Sequence, residues 1–265
     1  MPKLKRSIDN SDTPHEAAEF IESLDRGLRV IRAFGDERRP MTLSDIARVC
    51  GLPRATVRRI LMTLEHSGLV TCADRLFSLT PRILSLASAY LASNQISSVM
   101  QPLMDDVSAK AKEVCSLAIL DGDEAVFVAR ASPARVFSAG IDIGYRLPAF
   151  CTSVGRVLLG RLPDDQLAAA LAAMPLDRMT PQTVTDRSAV LTAIIADRTK
   201  GYSLVDREAE PGFRSISVPI RRYDGGIVAA ANIGAHVDRI TTDEMMERFL
   251  PLLQSMAAAA QPLLV

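Results

Sequence analysis

Between residues 41 and 79 the apolar positions recur first at helical and then at strand spacing, in MTLSDIARVCGLPRATVRRILMTLEHSGLVTCADRLFSL. Leu43, Ile46, Ala47 and Cys50 share one face of a short helix. Thr42 with Asp45 three residues on is the start of a capping box, in which each side chain satisfies a first-turn N–H. Gly51 accepts the positive φ that stops this helix, and Pro53 is tolerated in the first turn of the next. There Val57, Ile60, Leu61 and Leu64 form the stripe that packs against the first helix. Ala55, Arg59, Met62 and His66 lie opposite, flanked by Thr56 and Arg58. The apolar runs 69–71 and 76–79 then bracket Cys72-Ala73-Asp74-Arg75, which predicts a hairpin. Upstream, Phe20, Ile21, Leu24, Leu28, Ile31 and Phe34 predict an amphipathic helix ending near Gly35, the third helix such a unit needs for a core.

Downstream, Pro81 opens a helix with Ile83, Leu84, Leu86, Ala87, Tyr90 and Leu91 as its apolar positions. It is expected to break at 93–95, before a second long helix over 99–112. The period then changes. Runs at 114–120 and 125–131 flank Asp121-Gly122-Asp123-Glu124, a hairpin with an Asp-Gly turn, and 136–143 reads as a further strand ending at Gly144. Residues 150–159 read as a loop turning into a helix. Helices are expected at 164–174 and 189–200, strands at 202–206, 215–220 and 227–233, and a last helix at 243–260. Helices flanking a sheet of several hairpins predict an α+β fold. The expected divisions are a mobile polar tail over 1–19, a winged helix-turn-helix over 20–80, a linker helix over 81–95 and a second domain over 96–265.

The 265 residues carry 31 basic and 31 acidic side chains, so the total charge selects no partner. Its distribution does. From Arg38 to Arg82 there are eight Lys or Arg against three Asp or Glu, a net of +5; from Asn94 onward there are 17 against 20, a net of −3. A basic patch confined to one end fits a nucleic-acid module joined to something else. Helix, tight turn and a helix with a basic N-terminal half is the order of a helix-turn-helix. Arginine there grips guanine O6 and N7 or pairs with phosphates. Thr42, Arg54, Ala55, Thr56, Arg58 and Arg59, with Arg75 at the hairpin tip, are the candidate DNA-contacting residues. The competing reading is a helical hairpin with a solvated basic face and a solvated turn.

Cys50, Cys72, Cys115 and Cys151 form no C-x-x-C pair, so neither a zinc site nor a redox motif is indicated, and no cofactor is expected. Turn chemistry explains the acidic cluster at 121–124 more simply than a metal does. No apolar run approaches the roughly 20 residues that cross a bilayer, and the N-terminus has no apolar signal core. Scattered thiols fit a reducing compartment, so the expected location is cytoplasmic and no membrane partner is expected.

Cys151, Thr152, Ser153, Val154 and Gly155 lead into a helix N-terminus, whose amides attract an anion. Ser215 and Asn232 place hydrogen-bonding groups on otherwise apolar strands, where ordinary satisfaction within a sheet is the simpler account. Arg146, Arg156 and Arg214 are candidate partners for a second ligand charge. An enzyme acting on a small organic acid, tethered to nucleic acid by the N-terminal module, is the alternative to a ligand-responsive regulator. Of His15, His66 and His236 only the last is placed for catalysis, and it has no evident sequence partner for a triad. Glu208 and Glu210 read as loop carboxylates.

LDRGLRVIRAF, TLSDIARVCGLPRATVRRILMTLEHSGLV, FSLTPRILSLASAYL, FCTSVGRVLLG and GYSLVDREAEPGFRSISVPI resemble the IclR-type bacterial transcriptional regulators over about residues 20–262. Gly201, Glu208, Gly212 and Ser215 fit the signature after a glycine; Val205 departs, because many members carry an acid there, and so does Arg221-Arg222. LPAFCTSVGRVLL looks closest to the branch controlling protocatechuate, 4-hydroxybenzoate and β-ketoadipate catabolism. The resemblance implies a winged helix-turn-helix, a linker helix and a GAF-like effector domain, with dimers pairing into tetramers. It implies operator DNA, an organic acid of that class and RNA polymerase as partners. It also implies an effector pocket on Ser153, Val154, Val205, Ser215, Asn232 and Gly234.

Overall fold

The computed structural model describes residues 20–37, 39–93, 95–133 and 142–264. The tail expected over 1–19 and most of the strand expected over 136–143 lie outside them; Ile143 and Gly144 form a turn. The chain divides into two compact units, Met1–Ser93 and Asn94–Val265.

The first unit holds α1 (Glu22–Glu37), β1 (Met41–Thr42), α2 (Leu43–Cys50), α3 (Arg54–His66), β2 (Val70–Ala73), β3 (Leu76–Leu79) and, after a 3-10 turn at Pro81–Ile83, α4 (Leu84–Ser93). Thr42 caps α2 in the reciprocal box with Asp45, and Gly51 closes it at φ 63°. Pro53 sits at the N-cap of α3, one residue before the first turn expected for it. Val30, Ala33, Phe34, Met41, Ile46, Val57, Leu61 and Val70 are among the residues forming one core. The stripe of α1 is only half used: Phe20, Ile21, Leu24 and Leu28 stay exposed, as do Leu84, Leu86 and Tyr90 of the α4 segment. The core ends at Val30, and among the described residues of this unit none buries the first turns of α1.

The wing is shorter in its turn and broader in its sheet than expected. Ala73 pairs with Leu76, leaving Asp74 and Arg75 alone as the loop. Both have positive φ, 49° and 63°, which matches the twist of a two-residue hairpin. β1 adds a third strand against β3; two residues are too few to show a period.

In the second unit α5 (Ile96–Ala111) precedes the antiparallel hairpin β4 (Val114–Asp121) and β5 (Glu124–Ala131). α5 starts earlier than its pattern indicated because buried Ile96 already packs on the sheet. β6 (Arg146–Pro148), which the pattern did not reveal, leads through a 3-10 turn at Ala149–Cys151 into α6 (Ser153–Leu159). α7 (Asp164–Ala173), α8 (Arg187–Lys200), β7 (Ser203–Asp206), β8 (Phe213–Arg221), β9 (Ile227–His236), α9 (Thr242–Glu244) and α10 (Leu250–Ala260) complete it. The strands run β6-β5-β4-β9-β8-β7. α5 and α10 cover one face, over Leu117, Val128, Ile216, Val218, Ala231 and Ile233. α6 lies on the other, where Val154, Val157 and Leu158 meet Ala118, Phe127 and Ala230. The expected α+β fold is the observed one. A π turn at Met245–Phe249 interrupts the last helix just before Pro251. Proline has no N–H and its ring crowds the carbonyl four residues back, which a wider turn relieves.

Candidate functional site

On α3, Val57, Leu61 and Leu64 are buried, and Arg54, Ala55, Arg58, Arg59 and Met62 are exposed on the other side. Thr56 is half-buried between the two faces. Among the described residues none of the three arginines pairs with a carboxylate, so their donors face solvent. Arg75 is exposed at the wing tip. Thr42 is placed differently. Its hydroxyl accepts from Asp45 N at 3.2 Å and bonds Asp45 Oδ2 at 2.8 Å, so the cap engages it.

The loop before α6 separates the residues grouped there by sequence. Thr152 is the N-cap: its Oγ1 accepts from Gly155 N at 3.2 Å and donates to Pro148 O at 3.2 Å. Cys151 turns into the apolar cluster with Leu159, Leu167 and Ile194. Burial and then the Glu208 charge push its thiol up to about 12, so it stays protonated. Val154 packs into the core beneath α6. Gly155 is a packing requirement, since a Cβ there would lie 2.1 Å from Ala149 O. Ser153 is fully buried, and its Oγ meets Ser215 Oγ at 2.7 Å.

The register then assembles a row that spacing did not reveal. Val205 pairs with Ser215, and Ser215 with Gly234. Two residues along, Ser203 pairs with Ser217, Ser217 with Asn232, Asn232 with Ser116 and Ser116 with Arg130. Directly paired residues share a face. Their neighbours Ile216, Val218, Ala231, Ile233, Cys115 and Leu117 point to α5 and α10, so this polar row faces α6. Ser203, Ser217, Asn232 and Ser116 are all buried. Ser203 Oγ donates to Asp197 Oδ2 at 2.6 Å. Ser217 Oγ and Asn232 Oδ1 have no hydrogen-bond partner, and a buried polar atom left so costs free energy unless something else satisfies it. A lone serine in each of VCSLAIL and SISVPI was the available signal for Ser116 and Ser217.

The three arginines considered for a second ligand charge are engaged elsewhere. Arg156 is buried; its Nη2 donates to Glu208 Oε2 at 2.8 Å and its Nε to Phe150 O at 2.9 Å. Glu208, expected in an exposed loop, is buried and also accepts from Val184 N at 3.1 Å. Arg146 bridges Asp121 and Glu124, the acidic turn, at 2.5 and 2.7 Å. Arg214 Nε donates to Asp206 Oδ1 at 3.0 Å. The arginine that reaches the polar row is Arg130, whose Nη1 bonds Asp142 Oδ1 at 2.9 Å. His236 lies against Asp238 and the Phe213 ring. Among the described residues no group of three His, Cys, Asp or Glu is arranged to hold a metal, and no helix is long and apolar enough to cross a membrane.

Comparison with known proteins finds matches over both units. Residues 23–72 match the IclR helix-turn-helix domain, and residues 88–261 match the bacterial transcriptional regulator IclR C-terminal family. A Pca regulon regulatory protein of Pseudomonas putida is 40% identical over 236 residues, 89% of this chain and 81% of its own. A solved structure from Rhodococcus sp. RHA1 superposes with a TM-score of 0.80 at 43% identity, covering 91% of this chain and 97% of that one. An IclR homologue from Microbacterium hydrocarbonoxydans, solved in complex with 4-hydroxybenzoate, gives a TM-score of 0.77 at 27% identity, covering 91% and 98%. The relatives are named as regulators, which leaves the enzyme alternative without support. A winged helix-turn-helix followed by this α+β unit, matched along nearly its whole length, makes the chain a DNA-binding member of the IclR family of bacterial transcriptional regulators.

Proposed function

We propose that this regulator reads a small aromatic or dicarboxylic acid at the Ser153–Ser215 end of α6 and changes its grip on operator DNA in response. The observation that carries this reading is the Ser153–Ser215 pair beside Ser217 and Asn232, two buried polar side chains with unsatisfied oxygens. The first-turn amides of α6 favour a carboxylate, and Val205 leaves the wall without a repelling charge. A relative solved with 4-hydroxybenzoate supports an acid of this kind, and the likeness of LPAFCTSVGRVLL to one branch of the family makes protocatechuate, 4-hydroxybenzoate and β-ketoadipate the candidate effectors.

On DNA, Arg54, Arg58 and Arg59 present base- and phosphate-gripping donors, Ala55 and Thr56 allow close backbone approach, and Arg75 reaches a phosphate or the minor groove. The uncovered stripes of α1 and α4 are apolar and lie in the DNA-binding unit. They fit a second copy of the chain, so that two recognition helices read paired half-sites. Residues 81–95 then serve as the linker between units, dimers pair into tetramers, RNA polymerase is a further partner on DNA, and the protein works in the cytoplasm.

Calorimetry on Ser153→Pro and Ser215→Ala tests the pocket. Proline is tolerated at the first helical position, where it removes one amide and one hydroxyl. Each variant is expected to bind effector about tenfold or more weakly while keeping DNA affinity, and the wild-type coupling between effector and DNA is expected at about 1–3 kcal/mol. Wild-type effector affinity in both variants would put the pocket elsewhere.

A further inference from the structure

The exposed face of α3 carries one residue that neither its core nor its charge explains. Val57, Leu61 and Leu64 already fill the packed stripe of the helix, yet Met62 stands 60% exposed on the other side. At about 100° per residue, Ala55, Arg59 and Met62 fall within roughly 60° of one another. The one acid of α3, Glu65, falls outside that arc. With a rise of about 1.5 Å per residue, Ala55 to Met62 spans roughly 10 Å, about three base steps of 3.4 Å. Arg54, Arg58 and Arg59 are exposed around this face and pair with no carboxylate among the described residues. The surroundings of Met62 thus suit a polyanion, whereas its own side chain is apolar. Phosphate oxygens offer a thioether little. The base edges in the major groove are polar with one exception, the C5-methyl of thymine. Methionine is unbranched and polarisable, so it closes on a methyl group without imposing a fixed shape.

From this complementarity we infer that Met62 reads a thymine C5-methyl in the major groove, and that each operator half-site sets this thymine about one or two base pairs from the Arg59 contact. The inference rests on the reading of α3 as the recognition helix given above and deepens it. Arg59 supplies the charged contact, and Met62 supplies a preference that no hydrogen bond provides. The occupant of the exposed methionine is then duplex DNA, and its burial against the methyl group is a gain made only on the right sequence.

The test uses the full chain and the duplexes it selects from a randomised library, with affinity read by fluorescence anisotropy. Each thymidine of the preferred sequence is replaced in turn by deoxyuridine, which removes the C5-methyl and leaves the hydrogen bonds of the base pair in place. One position in each half-site is expected to lose about fourfold in affinity, the value of one buried methyl group. Met62→Ala should bind the thymidine and deoxyuridine duplexes alike, and Met62→Leu should keep most of the difference. Because the side chain is exposed, both variants should keep the wild-type melting midpoint. A deoxyuridine effect that persists undiminished in Met62→Ala would assign the methyl to another residue and overturn the inference. Absence of any deoxyuridine effect in the wild type, with sequence preference lost in Arg59→Ala, would overturn it too, leaving α3 as the recognition helix and Met62 to solvent or a protein partner. Selection of no preferred sequence would remove both readings.

Discussion

The recognition helix α3 and the second unit use arginine in opposite ways. On α3 the guanidiniums of Arg54, Arg58 and Arg59 are exposed and engage no carboxylate among the described residues. In the second unit Arg156, Arg146, Arg198 and Arg214 each pair with an acid of the same unit. Uncommitted surface charge suits a polyanion, since its binding releases the counterions condensed there. Committed charge holds loops in place, and the interior row carries charge at its Arg130 end. The sign and number of arginines are poor guides to function; what each one already touches is the better guide.

The largest test of this contrast removes a committed arginine. Arg156→Met leaves Glu208 buried without its partner, and the second unit should lose about 3–5 kcal/mol. Chemical denaturation followed by circular dichroism reads this, and a loss under about 1 kcal/mol would show that water already reaches the pair. Arg59→Ala makes the opposite claim. Folding stability should change by no more than about 0.5 kcal/mol, while operator binding weakens by about 1–3 kcal/mol if the side chain reads a base. Equal loss on operator and random DNA would make Arg59 a phosphate contact; unchanged binding on both would take it out of the interface.

The smallest effect concerns the cap of α2. Hydrogen bonds from the Thr42 side chain, then Arg48 and the Thr42 backbone, hold the Asp45 carboxyl below its ordinary value of 3.8. A carboxyl with a lowered folded pKa stabilises the native state above the unfolded value, and that contribution disappears as pH falls through the folded one. The DNA-binding unit should therefore melt at a lower temperature as the solution is taken below about pH 4, and Asp45→Asn should flatten that part of the profile. An identical acid limb in the variant would assign the pH dependence to other carboxyls.

Local chemistry was legible in the chain and distant pairing was not. Thr42, Asp45, Gly51 and the stripe Val57–Leu61–Leu64 act within a few residues of one another, so spacing alone placed α2 and α3. β1 exists only because β3 lies beside it, and β6 because β5 does. The exposed half of the α1 stripe shows the limit of periodicity, which says that a face is apolar and not what covers it. Ser153 and Ser215 were legible as polar residues at a helix start and on a strand. Their contact, the Arg156–Glu208 pair and the row through Ser217, Asn232 and Ser116 depend on register across strands that no local pattern encodes.

The wing turn carries a lesson for engineering. Asp74 and Arg75 both hold the left-handed backbone that asparagine and glycine adopt with less strain. A laboratory lineage selected for heat resistance alone should drift toward Asn-Gly at these two positions, tightening the hairpin as it discards the cation at the tip. A lineage selected for operator occupancy should keep the arginine and seek its thermal tolerance elsewhere. The tip is thus a place where robustness and grip are in competition, and the residue retained there reports which of the two selection favoured.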